Sequence, residues 1–313
     1  IVSTLQAFRV GEELGRKVYE SNGALLHHFQ GLSAVQSAVL DRRDDGTVPY
    51  SLANVLRLRR PVVIVDEAHN ARTPLSFEVL AKFRPSCILE FTATPAREES
   101  PSNVLHHVSA RELQAEDMIK LPVRLETRTE WKRLLADAVA QREKLEREAA
   151  AEEAATGEHI RPILLRKCDR RDKRRETLTV DVVEKALLED CRIPADQVRR
   201  ATGDERGLED LDLFARDCRV KFILTVDALR EGWDCSFAYV LCSVADMHSA
   251  GAVEQLLGRV LRMPRAQRKK REALNRAYAF GCSTDFAATA RALEDALVEN
   301  GFNRMEARDL VVQ

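Results

Sequence analysis

The chain has 313 residues, of which 45% are hydrophobic, 32% charged and only 5% aromatic, with a formal net charge of −1. That length suits two domains with aliphatic cores and a heavily charged surface, and the near-neutral total excludes a polycation, so nucleic-acid contact must come from local basic patches. Seven scattered cysteines without a CxxC pair argue against a zinc site or a disulfide framework and for a reducing compartment. No apolar run reaches bilayer length and no signal peptide is evident, so a cytoplasmic protein with no membrane contact is expected.

The chain opens on Ile1, and residues 1–4 read as a strand already running into a loop, so the expectation is a fragment that begins inside a domain. Helices are expected at 23–29, 51–58 and 75–83, and strands at 61–65 and 87–91. Val62 to Val65 are four β-branched residues in a row, the pattern of a strand buried on both faces. That strand ends in Asp66-Glu67-Ala68-His69, and the strand at 87–91 ends in Thr92-Ala93-Thr94-Pro95. In an open parallel sheet, ligands collect beyond the carboxyl ends of the strands. Adjacent carboxylates there suit nucleotide hydrolysis, in which Asp66 holds Mg²⁺ and Glu67 orients or deprotonates a water beside a γ-phosphate. The hydroxyls of Thr92 and Thr94, expected at the same edge, could bond the carboxylates and His69. The competing readings are a solvated acidic loop and a Ser/Thr helix-capping turn.

Residues 1–120 are expected to form a first domain, 121–130 a linker and 131–313 a second domain. Trp131 begins a long helix by its apolar spacing, ending near Gly157. Its alanine- and charge-rich end has little to bury, which predicts a helical protrusion near 140–158. Then follow a strand at 163–165, a basic loop at 166–175, a helix at 179–190, a strand at 198–201, a helix at 208–214, strands at 220–226 and 238–244, a helix at 250–262, a strand at 277–281 and a helix at 284–299. Strands alternating with helices imply a parallel sheet covered on both faces.

Two more segments carry chemistry. The turn after strand 220–226 holds Gly232, which permits a backbone conformation that a Cβ would resist, and Asp234, placed to accept from a ribose hydroxyl or an arginine. In 252–264, an apolar stripe from Val253 to Leu261 leaves Gln255, Gly258, Arg259 and Arg262 on the opposite face, so both arginines should project together. A mid-helix glycine costs about 1 kcal/mol relative to alanine, and close approach of a backbone or phosphate would explain it. Such arginines can neutralise charge on a transferring phosphoryl group; the competing reading is a solvated arginine face. The basic clusters 166–175 and 265–276 are candidate phosphate contacts, weighed against plain solvated surface.

The ordered set DEAH, TATP, LREGWD and QLLGRVLR resembles the superfamily 2 DEAD/DEAH-box helicases. EFTATP, MIKLPV (118–123), ALREGWD and GRVLRMP look more narrowly like the Res subunit of type III restriction enzymes. The resemblance spans nearly the whole chain. It implies an α/β protein of two RecA-like parallel-sheet domains, with ATP between them and nucleic acid across both. It assigns Asp66 and Glu67 to Mg²⁺ and water activation, His69 to coupling with the second domain, and Thr92 and Thr94 to linking hydrolysis with movement. Gly232 and Asp234 would face the nucleotide, Gln255 would help close the cleft, and Arg259 and Arg262 would reach the γ-phosphate. Thr4, Gln6, Thr225 and Arg230 would touch nucleic acid, DNA by family and RNA as the open alternative, with a methyltransferase subunit as a further candidate partner.

The sequence departs from the family pattern in having no G-x-x-x-x-G-K-[ST]. The phosphate-binding loop and its strand are therefore expected upstream, leaving the first domain incomplete and this stretch alone a poor ATP binder. The nuclease signature of Res subunits is also absent, since the chain has no Pro-Asp pair. The alternative function is a non-catalytic remnant that binds nucleic acid or a partner.

Overall fold

The structure is a computed structural model, and the description covers residues 1–8, 17–71, 73–92, 95–96, 101–169, 177–202, 207–208, 211–226, 235–243, 258–282, 286–299 and 302–312. The chain divides into two compact units, 1–105 and 106–313.

In the first unit, helix α1 (Ala34–Ala38) starts in a capping box between Ser33 and Gln36. Helix α2 (Leu52–Arg59) starts where Ser51 accepts the Asn54 amide, and α3 (Pro74–Lys82) where Thr73 accepts the Ser76 amide with Pro74 in the first turn. Strands β1 (Val62–Val65) and β2 (Cys87–Glu90) pair in parallel, Val62 opposite Cys87 and Val65 opposite Glu90. The sequence predicts β1 buried on both faces; instead Val62 and Ile64 are 58% and 64% exposed. The reason is the period of two: alternate residues face opposite ways, and only Val63 and Val65 turn toward the cluster of Ala68, Ala71 and Leu80. Residues 1–4 are not a strand. They lead into a 3₁₀ turn at Leu5–Phe8, where Leu5 packs on the Val65–Ala68 cluster and the Phe8 ring meets Phe83 edge-on at 4.7 Å.

Among the described residues of the second unit, seven strands pair in parallel. They are β3 (Val123–Arg128), β4 (Ile163–Lys167), β5 (Val198–Ala201), β6 (Phe222–Thr225), β7 (Ala238–Ser243), β8 (Ala277–Cys282) and β9 (Val311–Val312), in the order β5-β6-β4-β7-β8-β3-β9. The central strands β4, β6 and β7 are buried along their whole length, as the continuous apolar runs predict for a covered parallel sheet. The expected linker at 121–130 supplies β3, which pairs with β8 and β9. Its alternation of buried Val123 and Leu125 with outward Arg124 is a strand signal that the Leu-Pro before it masks. The segment 208–214 is a turn and not a helix in its described residues. Helix α4 (Ala110–Ala115) opens on a capping box from Ser109 and Glu112. Helix α6 (Val180–Lys185) continues into a wider π-type turn through Asp190.

Helix α5 (Trp131–Thr156) ends at Gly157, whose φ of 77° closes the helix through its amide on the Glu153 carbonyl. Its second half does not protrude. Leu145, Ala149 and Glu152 are buried, and the helix packs against β7, β8 and the turn at Glu272–Asn275. The charged residues that suggest solvent in the sequence are the glue. Glu152 accepts the amides of Lys270 and Arg271 at 2.9 and 2.8 Å. Glu158 takes the buried Lys269 ammonium at 2.7 and 2.8 Å. Glu148 pairs with Arg271, and that hydrogen bond holds the Glu148 carboxyl below its ordinary range.

Candidate functional site

In the first unit the two signature segments lie side by side because β1 and β2 are parallel neighbours. The Phe91 amide donates to the Val65 carbonyl at 2.9 Å and the Ala68 amide to the Phe91 carbonyl at 3.0 Å. Asp66 and Glu67 therefore leave the carboxyl end of β1 beside Thr92 at the end of β2. Asp66 and Glu67 are exposed and Thr92 is half-buried. The Asp66 carboxylate accepts the Glu67 amide at 3.0 Å. Glu67 itself has φ 48°, a left-handed conformation that costs a non-glycine residue roughly 1–2 kcal/mol. The turn thus holds two carboxylates at the strand end rather than letting the strand run on. Thr4 and Gln6 are exposed and flank Leu5, which is seated on the same apolar cluster. Thr94 and the side chain of His69 lie outside the described residues.

In the second unit the sequence places Arg259 and Arg262 on one helix face, and the structure corrects this. Residues 258–260 are helical, but Leu261 is a turn and Arg262 forms an antiparallel bridge with Ile119. The Lys120 amide donates to the Leu261 carbonyl at 2.6 Å and the Met263 amide to the Met118 carbonyl at 2.9 Å. The chain is drawn out of the helix by this short ladder, and Pro264 disfavours helical geometry at Met263. Arg259 is half-buried and Arg262 exposed. Gln255, Gly232, Asp234 and Arg230 lie outside the described residues.

Sequence reasoning gives no role to Lys120, whose side chain fixes this ladder. It is fully buried, donates to the carbonyls of Ser236 and Ala238, and sits 3.8 Å from the centre of the Tyr239 ring. Carbonyl oxygens and an aromatic face stand around its Nζ in place of water. The one lysine in the apolar MIKLPV segment is the signal that could have found it.

The carboxyl edge of the sheet carries a polar row. Lys167 lies opposite Thr225 on one side and Ser243 on the other, and all three are buried. Thr225, expected to touch nucleic acid, is thus a buried strand end whose carbonyl accepts the Cys168 amide at 2.7 Å. The basic cluster 265–276 is mostly neutralised by carboxylates: Lys269 by Glu158, Arg271 by Glu148, and Arg268 and Arg276 by Glu272. Among the described residues no group of three or more His, Cys, Asp or Glu could hold a metal ion. None of the helices described is long and apolar enough to cross a membrane.

The described strands of both units pair in parallel, the arrangement of an α/β protein. Residues 29–97, which carry the DEAH and TATP segments, match the family described as type III restriction enzyme, res subunit, and are related to that subunit. No curated protein sequence matches the chain. Among solved structures, an ATP-dependent type ISP restriction-modification enzyme, LlaBIII, bound to DNA aligns at 13% identity and a TM-score of 0.44, covering 77% of this chain and 20% of that one. A Dbp5 variant of S. cerevisiae bound to Gle1 and IP6 aligns at 14% identity and 0.42, covering 79% and 60%. S. cerevisiae Dbp5 bound to RNA and ADP BeF3 aligns at 13% and 0.40, covering 82% and 67%. The chain thus spans one fifth and three fifths of the first two of these proteins.

Proposed function

We propose that this chain is part of an ATP-driven DNA helicase or translocase core, acting in a polypeptide that also supplies a phosphate-binding loop. The observation that carries the reading is the pair Asp66–Glu67 at the carboxyl end of β1, flanked by Val65 and Ala68, whose backbone groups bond Phe91 just past β2. The donor set fits the group: exposed carboxylate oxygens with a threonine beside them suit a hard cation that takes one or two protein ligands and completes its shell with water and phosphate. Mg²⁺, when bound with the nucleotide, supplies positive charge for the departing phosphate. Asp66 would hold it and Glu67 would orient the attacking water, while Thr92 would sense their state. Arg259 and Arg262 would lend positive charge to the phosphates, and Thr4 and Gln6 would contact the DNA backbone.

The test is phosphate release from ATP, with and without DNA, by the intact protein and its Glu67→Gln variant. The expected result is a loss of DNA-stimulated turnover by about 10²-fold or more, the usual scale for a positioned general base, with unchanged circular dichroism. Unchanged turnover would remove Glu67 from that role. If neither protein turns over ATP and both still bind DNA, the binding-module reading replaces the motor.

A further inference from the structure

Residues of the second unit line an open cleft of about 510 Å³, within the size range of small-molecule pockets. Its described wall is largely apolar, with Met118, Ile119, Met263 and Phe302 contributing. The charged residues among those lining it are Arg262 and Arg265, and no acidic residue is among the described lining residues. The backbone of the wall is held in place. Met118 to Lys120 are laddered to Leu261–Met263 through two backbone hydrogen bonds, and Lys120 is moored on the Ser236 and Ala238 carbonyls. Gly258 adds no side chain to the lining.

Arg265 and Ala266 both have left-handed backbone, with φ of 56° and 47°. Two such non-glycine residues in succession are held against their own preference by their surroundings. They set Arg265 on the wall of the cleft, where it is exposed and has no acidic partner among the described residues, unlike Arg268, Lys269 and Arg271 a few positions on.

We propose that this cleft binds a small amphipathic anion: an aromatic or branched apolar body carrying one carboxylate, sulfonate or phosphate, with Arg265 meeting the charge. The apolar wall supplies affinity and the guanidinium fixes orientation. The cleft shares Arg262 with the phosphate contacts of the proposed function, so the test turns on Arg265, to which that function gives no role.

The chain has four methionines, which makes the test site-resolved. Met118 and Met263 line the cleft, whereas Met305 does not and is highly exposed. With ¹³C-methyl-methionine labelling of the full chain and 8-anilinonaphthalene-1-sulfonate as the probe, the Met118 and Met263 methyl signals should shift along one saturable curve while Met305 stays fixed. Arg265→Glu should weaken that curve about tenfold, the scale of one lost charge-assisted hydrogen bond. Arg265→Ala should fall between, with the probe-free methyl spectrum of each variant confirming its fold. Stationary Met118 and Met263 signals would overturn the proposal. So would equal affinity in wild type and Arg265→Glu, which would reduce the effect to apolar adsorption.

Discussion

The Lys269–Glu158 pair offers the sharpest test of how the second unit is held together. The Lys269 side chain is 1% exposed and that of Glu158 11%, and the ammonium makes three hydrogen bonds, two to the Glu158 carboxylate and one to the Pro264 carbonyl at 2.9 Å. Removing the carboxylate strands a buried cation, a perturbation worth about 3–5 kcal/mol. For a domain of this size each kcal/mol shifts the melting temperature by roughly 2–4 °C, so Glu158→Ala should lower it by about 6–20 °C. Lys269→Met keeps the apolar stem and removes the charge, leaving a solvent-shielded carboxylate with some exposure, so its loss should be smaller. The double variant should recover most of the deficit. Both tryptophans, Trp131 and Trp233, belong to the second unit, so tryptophan fluorescence during thermal or urea unfolding reports this unit alone. A Glu158→Ala loss under about 0.5 kcal/mol, the range of an ordinary surface substitution, would refute the claim that this ion pair anchors the 264–276 turn to α5.

Two further outcomes follow from the same structure. Gly157→Ala should cost about 1 kcal/mol in the same fluorescence assay, because a Cβ there meets nothing within 4 Å and the penalty is that of a left-handed helix cap alone; no change would mean the cap relaxes. Burial pushes the thiol of Cys168 up to about 12 and that of Cys235 to about 11. The unfolded chain loses these protons near pH 9 while the folded one keeps them, so each thiol's contribution is intact below pH 9 and is lost as pH climbs through about 11 to 12. Native thiol labelling at pH 8 should modify exposed Cys87 at once and spare Cys168 and Cys235 until unfolding, and Cys168→Ala should flatten the alkaline fall in stability; early labelling of Cys168 would contradict its burial.

In the first unit the sequence alone disclosed the two strands and where they end. A β-branched run stopped by two carboxylates, and an apolar run stopped by threonines, are local signals, and parallel pairing placed their ends together as expected. Strands β4, β6, β7 and β8 were likewise legible as apolar runs between turns. Tertiary structure alone decided what depends on distant partners. The acidic end of α5 and the residues just past it look solvated by composition, yet Glu152 and Glu158 are turned inward by a turn more than a hundred residues later. A helical apolar stripe predicts Arg259 and Arg262 on one face, but backbone groups at Met118–Lys120 offered strand hydrogen bonds that ended the helix first. The physical reason is common to both. Periodicity reports which side of an element is apolar, but not whether a charge on the other side meets water or a buried partner, and that is settled only when the chain folds back on itself.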